Sequence, residues 1–72
     1  MRNNKWSEGT PIEVERLGRC TAYRRIINGE FYQWKIKYGF TEVVGDYAMD
    51  NVVALNNAMV ELQKRFKSLF YD

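Results

Sequence analysis

Arg19-Cys-Thr-Ala-Tyr-Arg-Arg-Ile-Ile27, then Asn28-Gly29, then Glu30-Phe-Tyr-Gln-Trp-Lys-Ile-Lys-Tyr38 is the stretch that decides how this chain folds. A type I′ turn needs positive φ at both central positions, and Asn-Gly meets that demand better than almost any other pair. β-branched and aromatic residues flank it on both sides, so the spacing predicts two long antiparallel strands joined at Asn28-Gly29. A two-residue loop sets Ile27 opposite Glu30, Arg25 opposite Tyr32, Tyr23 opposite Trp34, Thr21 opposite Ile36 and Arg19 opposite Tyr38. Side chains alternate between faces along a strand. One face then collects Thr21, Tyr23, Ile27, Tyr32, Trp34, Ile36 and Tyr38, which reads as the core side. The other collects Cys20, Ala22, Arg24, Ile26, Phe31, Gln33, Lys35 and Lys37, which reads as a wet, basic one.

Continued outward, the same register places Gly18 opposite Gly39 and Val14 opposite Val43. It also sets Glu15 against Glu42, and like charges directly opposite are unfavourable. A bulge or break at the glycines is expected, leaving Ile12–Leu17 and Phe40–Val44 as a second strand pair or as two short strands of a curled sheet. Three or four strands are expected, because a lone hairpin is marginal in water. Gly45-Asp46 reads as a turn. Beyond it Val52, Leu55, Met59, Leu62, Phe66 and Leu69 recur at intervals of three and four, the stripe of an amphipathic helix. Asp50 is placed to cap it, and a helix of about 20 residues would be roughly 30 Å long. The fold class expected is therefore α+β, a small antiparallel sheet packed on one C-terminal helix.

Seventy-two residues and 46% hydrophobic content make one small domain with a thin core. Residues 1–10 are polar apart from Trp6 and read as a flexible arm, with 11–72 as the single α+β domain; the tryptophan folding back onto the domain is the blander expectation. No apolar run reaches the length of a membrane span, the first residues lack the apolar stretch of a secretory signal, and a single cysteine forms no internal disulfide. A cytoplasmic protein is expected.

The chain has no histidine, which removes the commonest general base and metal ligand together. Ser7 lies in the arm and Ser68 near the end of the helix, poor places to hold a nucleophile. Cys20 falls on the basic side, where cations lower a thiol pKa, although a lone cysteine is more often a small packing residue. Glu15 and Glu42 either hold a divalent cation or splay into solvent. The glycines form neither phosphate-binding pattern. No enzyme, cofactor, metal or small-molecule substrate is expected.

Charge is segregated. Residues 16–37 carry Arg16, Arg19, Arg24, Arg25, Lys35 and Lys37 against Glu30 alone, whereas residues 38–61 carry Glu42, Asp46, Asp50 and Glu61 with no cation. Such a bipolar domain either self-associates or offers its basic side to an anionic partner. The candidate partner-binding residues are Arg24, Phe31, Gln33, Lys35 and Lys37, with Phe70 and Tyr71 as a second patch, and Met49 and Val53 are further apolar residues off the helical stripe. The reading is a non-enzymatic binding protein that meets a protein partner or a second copy of itself; the alternative is a single-stranded nucleic-acid-binding domain using the basic side.

Tyr23-Arg-Arg-Ile26, the Asn-Gly hairpin and Asp50-x-x-x-Ala54-Leu55-x-x-Ala58 together resemble short bacterial and phage-type domains of unknown function, over residues 20–65. There a hairpin precedes a helix carrying the same pattern. Their usual glycine before the aspartate is replaced here by Met49. The resemblance implies no activity; by analogy with stand-alone phage domains of this size it admits an inhibitor of a host or defence system.

Overall fold

A computed structural model describes residues 4–70. Four strands, β1 (Thr10–Val14), β2 (Gly18–Ile27), β3 (Phe31–Tyr38) and β4 (Thr41–Val44), form one antiparallel sheet in the order β1-β2-β3-β4. Helix α1 (Asn51–Arg65) and the short α2 (Lys67–Phe70) follow. The chain is thus a small α+β domain, as the sequence pattern predicts. None of its helices among the described residues is long and apolar enough to cross a membrane.

The Asn-Gly turn forms, with φ of 55° at Asn28 and 71° at Gly29 and the Glu30 N–H donating to the Ile27 carbonyl at 3.1 Å. Its register is not the expected one. Ile27 pairs with Phe31, Ile26 with Tyr32, Arg24 with Trp34 and Ala22 with Ile36, so Glu30 stands outside the ladder as one extra residue. A one-residue slip turns a whole strand over relative to its neighbour. Cys20, Ala22, Arg24 and Ile26 therefore share a face with Tyr32, Trp34, Ile36 and Tyr38, while Thr21, Tyr23, Arg25 and Ile27 join Phe31, Gln33, Lys35 and Lys37. Burial agrees: Cys20, Ala22 and Ile36 are 2% exposed or less, and no strand residue on the second face is buried.

The glycines end the long ribbon instead of bending it. Leu17 N–H donates to the Val14 carbonyl and closes a turn in which Arg16 takes φ 76° and Gly18 φ 91°. Gly39 at φ 61° occupies the first central position of the β3–β4 turn, where a type II′ geometry wants glycine. β1 and β4 consequently lie on opposite edges of the sheet. Val14 pairs with Gly18 and Val43 with Ile36, and Glu42 lies across from Lys37, so Glu15 and Glu42 are not neighbours.

Asp50 caps α1 as expected, its Oδ1 accepting from Val52 N–H at 2.8 Å and Val53 N–H at 3.0 Å. The helix runs along β3 and β4, with the Trp34 indole N–H donating to Asn51 Oδ1 at 3.0 Å near its start and Tyr38 meeting Phe66 edge-on at 5.3 Å near its end. Its buried line is Ala54, Ala58 and Leu62, not the expected run of large residues. Leu55, Met59 and Phe66 flank that line half-buried, whereas Val52 and Leu69 of the expected stripe are exposed. Close approach explains the rotation. A Cβ added at Gly45, just beyond β4, would fall on the backbone of Ala58. Small side chains at the contact allow that approach, and larger ones are displaced to the sides. At Phe66 the backbone leaves helical values (φ −115°, ψ 47°), so α1 stops at 15 residues and α2 returns Phe70 onto the same core.

Leu62→Ala should lose about 2–5 kcal/mol of stability in urea titration, while Val52→Ala should change it by less than about 0.5 kcal/mol. Gly45→Ala should lose about 1–3 kcal/mol by overpacking. Equal losses at Leu62 and Val52 would contradict the observed helix orientation.

Candidate functional site

Among the described residues no helix or further strand covers the sheet face turned away from α1. Along β3 it presents Phe31, Gln33, Lys35 and Lys37, and beside them on β2 lie Tyr23 and Arg25. Residues 4–9 bring a further ring to it. Ser7 N–H donates to the Arg24 carbonyl at 2.7 Å and Ser7 Oγ accepts from Arg24 N–H at 3.0 Å, which fixes the chain beside β2. Gly9 lets that chain cross Thr21 and Tyr23, since a Cβ there would collide with both side chains. Trp6 is thereby carried over the sheet, with the Arg25 guanidinium 4.6 Å and the Lys35 ammonium 4.8 Å from its ring. Lys35 is also 4.8 Å from the Tyr23 ring.

Polar groups on this face are partly committed to one another. Arg25 Nε donates to Gln33 Oε1 at 2.8 Å, and Gln33 Nε2 donates to the Gly45 carbonyl at 3.0 Å. Both ends of the Gln33 amide are therefore used inside the chain, tying β2, β3 and the exit from β4 together. That exit stays beside β3 through a pair of backbone hydrogen bonds between Tyr32 and Ala48. Tyr47 lies next to Phe31 in consequence, ring to ring at 5.2 Å. Arg19 and Glu13 pair at 3.9 Å with both side chains mostly exposed, a weak contact in water.

Of the residues expected to bind a partner, Phe31, Gln33, Lys35 and Lys37 are brought together. Arg24 is not. The register places it on the helix side of the sheet, its guanidinium 5.4 Å from the Tyr32 ring and 5.9 Å from Trp34. Phe70 is half-buried against the core and forms no free patch, and Tyr71 lies outside the described residues. Trp6, Tyr23, Arg25 and Tyr47 join the face instead. A hairpin register offset by one residue would have found Tyr23 and Arg25; no local pattern marks Trp6 or Tyr47.

Cys20 also moves, from the basic side to the core. Burial pushes its thiol pKa up, and the Glu13 charge adds to the rise. The burial agrees with the favoured reading of Cys20 as a small packing residue and not with the alternative of a thiol activated by cations. Among the described residues there is no pocket, and no group of three or more His, Cys, Asp or Glu is placed to hold a metal ion. No protein-family model matches the chain, and comparison with curated proteins and with solved structures gives no match.

The folded chain holds the Cys20 proton more tightly than the unfolded chain does. This contribution to stability is full below the unfolded thiol pKa and is lost as pH rises through the folded one. At pH 8 an aromatic disulfide reagent should label Cys20 only as fast as the protein opens; labelling at the rate of a free thiol would show the side chain to be accessible.

Proposed function

We propose that this chain is a non-enzymatic, self-assembling protein-binding module whose contact is the outer face of α1. The observation that carries this reading is the composition of that face. Met49, Val52, Val53 and Val60 are 68%, 63%, 48% and 46% exposed, with exposed Asn56 among them. No charged residue occurs between positions 51 and 60. Exposed valines contribute nothing to the core and lower helix propensity relative to alanine, lysine or glutamate. Their presence is accounted for by burial against something else.

A second copy fits best. Within α1, Val53, Asn56 and Val60 follow one another at intervals of three and four, the spacing of a helix–helix seam, and Met49 stands just before the cap. A two-fold axis through Asn56 sets the helices antiparallel and makes the patch self-complementary, Val52 opposite Val60 and amide against amide. The helix is acidic before its start and basic at its end, so only the antiparallel order pairs opposite charges. The lack of histidine and the burial of the lone thiol support a role in binding over catalysis.

Sedimentation equilibrium over a concentration series should show a monomer–dimer equilibrium. Val53→Glu with Val60→Glu should abolish it while leaving helical circular dichroism unchanged. A protein that stays monomeric at every concentration would overturn self-assembly.

A further inference from the structure

From the opposite side of the sheet we infer that the open face binds single-stranded nucleic acid, with Trp6, Tyr23 and the Phe31–Tyr47 pair as stacking surfaces and Arg25, Lys35 and Lys37 facing the phosphates. The helix seam does not obstruct it, because α1 packs on the other face.

The decisive feature is that rings and cations alternate across one sheet face that no helix covers among the described residues. Positions 31 and 35 of β3 are about 13 Å apart at the usual rise per residue. One end holds Phe31 with Tyr47, the other holds Trp6 and Tyr23 around Lys35, and Arg25 and Gln33 lie between. The strand cations on this face, Arg19, Arg25, Lys35 and Lys37, outnumber its acids, Glu13 and Glu42. An anionic polymer is therefore the complementary partner. An acidic peptide would satisfy the cations and leave the rings without a role, whereas every nucleobase offers a π-face for them to stack on. A sheet carrying aromatic platforms beside basic side chains suits splayed, unpaired bases rather than a duplex.

The cations now rest over the rings. An exposed cation–π contact is weak, so Lys35 can turn from Trp6 and Tyr23 to a phosphate, while Arg25 stays against the Trp6 ring. Gln33, with both amide ends held, keeps β2 and β3 in register under the strand and reads no base itself.

The test is fluorescence anisotropy of a labelled short oligothymidylate, measured across a salt series with the full chain. Three phosphate contacts predict a slope of log K against log salt of about −2, falling to about −0.7 in Lys35→Ala with Lys37→Ala. Trp6→Ala should weaken binding about tenfold and Trp6→Phe should restore most of it. Lys67→Ala, in α2 beyond the end of α1, should leave binding unchanged. Should Trp6→Ala lose its helical signal, Tyr23→Leu serves instead, with the same tenfold loss expected. No binding at low salt overturns the inference. So does polyglutamate competing equally well, which would make the face a plain cationic patch, and so does ring removal without effect. The Val53→Glu, Val60→Glu variant should bind each strand with unchanged intrinsic affinity, whatever its oligomeric state.

Discussion

Between Ile27 and Phe31 the chain spends three residues where a tight hairpin spends two, and most of the molecule's surface chemistry follows from that count. With Glu30 outside the ladder, alternation along β2 is offset by one against β3. Cys20 and Ala22 drop beneath α1 beside Ile36, while Tyr23 and Arg25 rise to the open side. The offset also brings apolar residues of β1 into the core. Val14 pairs with Gly18 and Ile12 with Cys20, which places both aliphatic side chains on the helix side. In the tighter register Thr21 would stand opposite Ile36, where Ala22 now packs a methyl group, and Tyr23 would replace Arg24 opposite Trp34.

Close approach is the second constraint. Gly45, Ala54 and Ala58 bring helix and strand backbones together, and Leu62 fills the space where they diverge. The fully buried side chains are few and small, as expected of so short a chain. Partners at the periphery complete the enclosure: Trp34 is tied to Asn51, Tyr38 stands against Phe66, and the Arg16 guanidinium donates to the Leu69 carbonyl at 3.3 Å. Because α1 buries its small residues, its β-branched ones are left outside. A helix turned by one position would hide valines and expose alanines, and the uncharged outer face would vanish.

Two surfaces of different chemistry result, back to back across one sheet and one helix. The outer helix face is apolar, uncharged and linear. The open sheet face is aromatic and basic, with its cations resting on its own rings. Association through the helix would point two such sheet faces away from each other. A strand-binding surface would then be displayed twice, and linked sites gain effective concentration without any new contact.

The α+β class, the Asn28-Gly29 turn, the Asp50 cap and the side of β3 covered by the helix could all be read from residues, because each rests on local backbone preference or on alternation within one strand. Phe31, Lys35 and Lys37 were placed correctly for the same reason. Arg24, Tyr23 and Cys20 were not, since their side depends on pairing between strands, and Asn-Gly permits loops of more than one length. The long ribbon was likewise legible only in part: glycines at 18 and 39 allow a bend or a turn, and the hydrogen bond from Leu17 to Val14 selects the turn. Which helical stripe points inward, and where Trp6 lands, were decided by tertiary structure alone. A stripe of large residues and a ridge of small ones both satisfy helical periodicity, and only the distance at which the sheet can be approached distinguishes them.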